Sequence, residues 1–241
     1  MSKLIEFFKK LFTKSTPPSV KPVQQQEPVS EIVVIPQKPI EPPPVSVPIV
    51  AGSLEHYQLY WRRAQLKLSK EQTEALAWTT RKIITNKARY QAVEKVTGVP
   101  WQLIACLAYR ESGLDFTACL HNGERIIGKD LKTTLVPKGR GPFATWESAC
   151  IDALEYDGFM RGLKWSIAQC LRMSERFNGL GYMKNKLEMS PYVWAGTDIY
   201  DGAGKYTSDG KYDPKAIERQ LGVAAIMMKL KEMNEFNLKE I

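Results

Sequence analysis

Ten of the fifteen prolines fall between residues 15 and 50, a stretch with no glycine and no aromatic residue. Such a stretch cannot bury a core and favours extended polyproline II. Fully extended, its thirty-six residues would reach on the order of 110 Å. The 241-residue chain therefore divides into three parts. Residues 1–14 form a short basic amphipathic segment. Residues 15–52 form a Pro-rich linker, read as a spacer or as a ligand for a proline-binding module. Residues 53–241 form one domain, long enough to bury a sizeable core.

In the first segment Leu4, Phe7, Phe8, Leu11 and Phe12 share one helical face, and Lys3, Lys9, Lys10 and Lys14 supply charge. It is a candidate weak anchor to a membrane surface or a partner, or else a tail or a helix docking on its own protein. Its charges interrupt the apolar run and no small-residue cleavage site follows, so it does not read as a secretory signal. No run of eighteen apolar residues exists to span a membrane.

The domain reads as mostly α. Ser69 with Gln72 forms a capping-box pattern opening a helix towards Val96, with a break near Asn86. Pro100 and Gly113 bracket a second helix, with Pro suited to its first position and Gly to its end. Trp146, Ala149, Cys150, Ala153 and Leu154 mark a third helix, capped by Thr145. Ile167, Cys170, Leu171 and Ser174 mark a fourth. Asn122-Gly123 signals a tight turn, placing a small hairpin or irregular lobe over residues 117–137. Residues 183–212 read as a long ordered loop. Asp213-Pro214 reads as the cap of a last helix carrying Ile217, Leu221, Ala224, Ala225 and Met228.

The Pro100–Gly113 helix carries the sharpest chemical signal. Glu111 recurs at helical spacing with Ile104, Leu107 and Ala108, so it points where the apolar residues point. Lost hydration and the negative end of the helix dipole both favour its neutral form. That is what a general acid working near neutral pH needs. A structural Glu satisfied by an arginine or a backbone N–H is the competing reading.

Other chemistries find little here. The net charge of +8 favours anionic partners, wall polymers among them. The basic residues are spread along the chain, so no nucleic-acid arm is expected. Cys106, Cys119, Cys150 and Cys170 contain no CxxC pair, and only His56 and His121 could join them. Cys106, Cys150 and Cys170 read as small buried hydrophobes. No metal and no organic cofactor is expected. The glycines from Gly204 to Gly210 lack the strand–turn–helix setting of a phosphate loop.

Three pieces follow in order: Glu111-Ser112-Gly113, Gly141-Pro142-Phe143-Ala144-Thr145-Trp146, and Glu175-Arg176-Phe177-Asn178-Gly179-Leu180-Gly181-Tyr182. In that order they resemble the goose-type lysozyme and soluble lytic transglycosylase superfamily. Phe177-Asn178-Gly179 departs from its Tyr-Asn-Ala-Gly motif, and Pro-Phe-Ala departs from its Leu-Met-Gln. A nearer resemblance is to a phage and bacterial group of lysozyme-like, peptidoglycan-degrading proteins. It rests on Glu111-Ser112, Leu120-His121-Asn122-Gly123, Phe177-Asn178-Gly179 with Gly181-Tyr182, Ser190-Pro191-Tyr192 with Trp194, and Gly204-Lys205-Tyr206 with Asp209-Gly210, and covers roughly residues 85–230.

The resemblance implies a lysozyme-like α-helical fold with a small β-hairpin or irregular lobe. It implies cleavage of the MurNAc-β-1,4-GlcNAc bond of peptidoglycan glycan strands, with Glu111 as the acid. Ser112, His121, Phe143, Asn178, Tyr182, Tyr192 and Trp194 become candidate substrate-binding residues. Packing is the rival role for the aromatic ones, and turn closure the rival for His121 and Asn178. Trp146 reads as core. Candidates for a second carboxylate are Asp115, Asp198 and Asp209. None is placed by spacing, and a transglycosylase can work with one Glu. A phage endolysin acts from host cytoplasm to cell wall or periplasm, and a virion-associated lysin acts from the virion, to which residues 2–14 are a candidate anchor. The rival class is a non-catalytic glycan-binding or structural module on the same scaffold.

Overall fold

In the computed structural model the described residues are 50–160, 162–184, 189–208 and 210–240. They belong to a unit spanning Ser46–Ile241. The basic segment 1–14 and all but the end of the linker 15–52 lie outside the described residues. Nine helices and one two-stranded sheet make up the described part. No helix among these residues is long and apolar enough to cross a membrane.

The order is α1 (Leu54–Arg63), α2 (Lys70–Thr85), α3 (Lys87–Thr97), α4 (Trp101–Ser112), α5 (Trp146–Tyr156), α6 (Ile167–Asn178), α7 (Gly181–Lys184) and α8 (Pro191–Trp194). Then come β1 (Ala203–Ser208), β2 (Lys211–Ile217) and α9 (Val223–Glu232). The expected local signals set most of these boundaries. Ser69 and Gln72 cap α2 reciprocally. Asn86 ends α2 and begins α3. Thr145 caps α5, with Ser148 as its reciprocal partner. The α1 helix, capped by Ser53, was not read from the sequence; it buries His56, Tyr57 and Trp61.

The centre of the core is α4. Every residue from Trp101 to Tyr109 is buried, so the helix is enclosed on all sides rather than along one stripe. It packs against α3, α6 and α9. Only its end, from Arg110 to Gly113, emerges from full burial. All four cysteines are buried and free.

Two expectations need correction. The last helix does not start at Asp213-Pro214. Those residues lie in β2, which pairs antiparallel with β1, Lys205 opposite Asp213 and Tyr206 opposite Tyr212. A two-stranded sheet has only edge strands, so Pro214 is tolerated there. Ile217 belongs to this strand and is exposed. The helix begins after Gly222. At residues 117–137 the irregular-lobe alternative forms; the second correction concerns residues 183–212, expected as a loop, which contain α8 and β1. No strand forms at residues 117–137; the hairpin lies at 203–217, inside much of the expected long loop. An irregular lobe fills 113–145. The Glu124 carboxylate gathers it, accepting from Thr134 and Leu135 N–H groups and from the Thr134 hydroxyl. His121 and Arg140 both engage Asp152, which pins the lobe to α5.

The turn from hairpin to α9 is tight. A Cβ at Gly222 would stand 2.5 Å from the Val193 carbonyl oxygen and 2.6 Å from Ala195 N. Both are backbone atoms, so neither can swing aside. Gly222→Ala should therefore cost about 1–3 kcal/mol and lower Tm by several degrees in a thermal melt. An unchanged Tm would show that α8 and α9 separate freely.

Candidate active site

Glu111 closes the last turn of α4. Its carboxylate Oε1 accepts a hydrogen bond of 2.7 Å from the Tyr192 hydroxyl. Tyr192 belongs to α8, whose Ser190 cap and Pro191 start fix its ring. On the other side the lobe turn presses on the helix end. A Cβ at Gly123, whose φ is +75°, would stand 2.6 Å from the Glu111 carbonyl oxygen. Only glycine lets this turn approach so closely. The acid is thus held between α8 and the lobe.

Burial pushes the Glu111 carboxyl above the usual carboxylate range. The Tyr192 hydrogen bond and the Arg110 charge oppose that rise, and the Asp157 charge adds to it. The direction agrees with the sequence argument. The cause is mainly desolvation at the end of a fully buried helix.

An open cavity of about 500 Å³ is lined by Arg110 and Tyr192, the chain neighbour and the hydrogen-bond partner of Glu111, but not by Glu111 itself; its size suits a small ligand. Its lining includes Asn178, Tyr182 and Tyr192 from the helical side and Tyr206 and Ser208 from the hairpin. Arg110 and Glu218 also line it. Tyr182 accepts a hydrogen bond from the Tyr206 backbone N–H at 3.0 Å. The two rings meet edge to face with centroids 5.0 Å apart. The hairpin therefore forms one wall, an arrangement the sequence reading did not foresee.

The structure thus brings Asn178, Tyr182 and Tyr192 together on one cavity, with Glu111 joined to it through the Tyr192 phenol. Other candidates lie elsewhere. Trp194 is 1% exposed and packs in the core, facing Tyr60, so it offers no face to a sugar. His121 and Phe143 stack on one another at 5.5 Å within the lobe, where Phe143 forms a small core with Cys119, Ile126 and Ala149. Burial lowers the His121 pKa, opposed by Asp152. The Ser112 hydroxyl donates to the Ala108 carbonyl. Trp146 is core, as expected.

The aspartates are accounted for differently. Asp198 accepts the Gln65 N–H at 2.7 Å, and its own N–H donates to the Gln65 carbonyl. It ties the α1–α2 connection to the chain after α8 and does not line the cavity. Asp115 is engaged by Thr117 and Arg125. Asp209 lies outside the described residues. No group of three or more metal-ligating side chains converges among the described residues. Comparison of the chain with protein-family models, with curated proteins and with solved structures finds no match.

Two carboxyl groups escaped the sequence reading. One is Glu218, on the cavity wall. The other is Glu175 on α6, 2% exposed. Its signal was available, because Glu175 follows Leu171 by four residues and shares its stripe. Burial pushes its carboxyl up to about 8, against a hydrogen bond with Ser190. Its Oε1 has no hydrogen-bond partner among the described residues.

This sets a pH dependence of stability. The folded pKa of about 8 exceeds the ordinary 4.5. Between those values the unfolded chain has given up the proton that the folded chain keeps. Stability contributed by this group is present below pH 4.5 and is lost as pH rises to about 8, a change on the order of a few kcal/mol. Glu175→Gln should therefore gain on the wild type in denaturant midpoint as pH rises from about 5 to 8. A difference that stays constant over this range would rule out the neutral buried acid.

Proposed function

We propose that the domain is a peptidoglycan glycosidase on a lysozyme-like fold, cleaving the MurNAc-β-1,4-GlcNAc bond with Glu111 as its acid. One observation carries this reading. A desolvated carboxyl with a raised pKa stands at the end of a buried helix and is hydrogen-bonded to Tyr192, which lines a cavity with Asn178, Tyr182 and Tyr206. Glycoside cleavage needs an acid to protonate the leaving oxygen and a site that stabilises an oxocarbenium-like state. A carboxyl that keeps its proton near neutral pH supplies the first. Asn178 offers both a donor and an acceptor to sugar hydroxyls or N-acetyl groups. Tyr206, half-buried on the hairpin wall, offers part of a ring face to a sugar. The net charge of +8 would hold the protein near an anionic wall.

The proposed sequence begins when Glu111 gives its proton to the glycosidic oxygen as the bond to the muramic C1 breaks. The muramic 6-hydroxyl then attacks C1, and its proton passes to the Glu111 carboxylate, restoring the acid. This route needs one Glu. It is favoured because Asp198 and Asp115 are engaged away from the cavity, and because the cavity carboxylate Glu218 faces two cations. A phage endolysin or virion-associated lysin would suit this activity.

A second reading is a glycan-binding module without turnover. The commitment of Glu111 Oε1 to Tyr192 favours it. Glu111→Gln separates the two. Gln keeps the size but not the acid, so dye release from purified peptidoglycan should fall about a hundred- to ten-thousand-fold with the fold intact. A wild-type protein that binds peptidoglycan without releasing dye would establish the second reading. Full activity in a folded Gln variant would remove Glu111 from its role.

The single-Glu route also fixes the product. Internal attack adds no water, so muropeptides should carry a 1,6-anhydro end and weigh about 18 Da less than hydrolysed ones. Mass spectrometry of the digest distinguishes them. Fully hydrated reducing ends would instead demand a carboxylate that activates water.

A further inference from the structure

The cavity wall holds a carboxylate for which the single-Glu route has no use. Glu218 follows β2, and its side chain is 12% exposed. Its Oε1 accepts the Gln220 N–H at 2.8 Å. Its Oε2 lies 3.7 Å from Arg110 Nη2 and 3.6 Å from Lys205 Nζ. Arg110 precedes Glu111 in the chain and its side chain is 7% exposed. Its Nη1 donates to the Leu221 carbonyl at 3.1 Å. Its guanidinium lies over the Tyr192 ring, 4.5 Å from the centroid, and its Nε is buried without a hydrogen-bond partner among the described residues. The Arg110 guanidinium thus turns towards the Glu218 loop, and Glu111 takes its hydrogen bond from Tyr192 instead.

That orientation matters for an acid. A guanidinium free to reach the neighbouring carboxyl would form a charge-assisted pair with it and strip its proton. Opposite charges within about 4–6 Å lower a carboxyl pKa by roughly 1–3 units. We propose that Glu218 is a positioning residue for Glu111: by engaging Arg110 it keeps the guanidinium over the Tyr192 ring and off the Glu111 carboxyl. The proposal rests on the reading of Glu111 as an acid. The groups facing Glu111 are Arg110 from α4, Tyr192 from α8 and Asp157 after α5. Those facing Glu218 are Arg110, Lys205 from β1, and the Tyr182 and Tyr200 phenols. Loss of the Glu218 charge leaves Arg110 uncompensated and free to turn. Both effects draw the proton from Glu111.

The test titrates the Glu111 carboxyl directly in the full chain by carbon-detected NMR, with the resonance assigned by its loss in Glu111→Gln. Glu218→Gln should lower the titration midpoint by about half a pH unit or more. Glu218→Asp keeps the charge on a shorter arm and should lower it by less; it is the variant to read where the Gln variant does not melt cooperatively. In an Arg110→Gln background, Glu218→Gln should leave the midpoint nearly unmoved, because the cation it restrains is gone. In an active protein the alkaline limb of kcat/KM should move to lower pH by the same amount. A purely structural role would lower kcat/KM evenly at all pH values. An unchanged midpoint in whichever variant folds, or an equal fall in the Arg110→Gln background, overturns the proposal. The titration needs no turnover. Failure of the wild type to cleave peptidoglycan would sink the glycosidase reading and leave this result to stand or fall on its own.

Discussion

The hydrogen bond from Tyr192 to Glu111 joins two parts of the chain eighty-one residues apart, and the candidate site depends on it. It forms because α4 is held on every side. Trp101 to Tyr109 are buried, so the helix can neither rotate nor slide without opening voids that cost several kcal/mol. The position of Glu111 at its end is thereby fixed. The α8 helix is short and would not persist alone. It is set by Ser190, by packing on α6 and α9, and by the Gly222 contact behind it. The phenol therefore meets a carboxylate whose location the core has already determined.

The same bond limits how far burial can raise the acid. Desolvation favours the neutral carboxyl, whereas a donor aimed at the carboxylate favours the ionised one. Glu175 shows the contrast. It too is a glutamate on an apolar helix stripe, yet only a hydrogen bond with Ser190 and no cation opposes its desolvation, and its pKa rises to about 8. Two buried acids of the same origin thus differ through their partners. Glu111 has partial exposure and a partner, Tyr192, that itself lines the cavity, as an exchanging group requires. Glu175 is sealed between α6 and Ser190 and adjoins no described cavity wall.

What could be read from the sequence was local. The capping pair at Ser69 and Gln72, the break at Asn86, the Thr145 cap and the Pro100–Gly113 bracket each depend on residues within a few positions. Each appears where expected, save that Pro100 is the N-cap and not the first helical residue, which is Trp101. Glu111 was legible for the same reason, since helical periodicity is a local signal. The hairpin was not. Asp213-Pro214 is as good a helix opening as a strand interruption, and the choice was made by pairing with β1. Trp194 and Phe143 carried no sign of which way they would turn, because an aromatic side chain suits a cleft and a core equally. Asp198 reads as a free loop acid until the Gln65 backbone, far away in sequence, is brought to it. Glu218 was invisible as a site residue because it reaches the cavity only through the hairpin.

The hairpin is therefore more than a cover for the helices. It carries Tyr206 against Tyr182, closing one side of the cavity, and it leads into Glu218, which meets both Lys205 of β1 and Arg110. Cavity shape and local charge thus depend on one element with a single partner strand. A two-stranded ribbon is marginal alone, so its place must come from these contacts with the helical body. The Tyr206–Tyr182 contact is largely one of rings and the Glu218–Arg110 pair is ionic. Loosening either would widen the cavity. Only the ionic contact would also release a cation beside Glu111, which is why the two contacts, similar in their effect on shape, differ in their consequence for a proton.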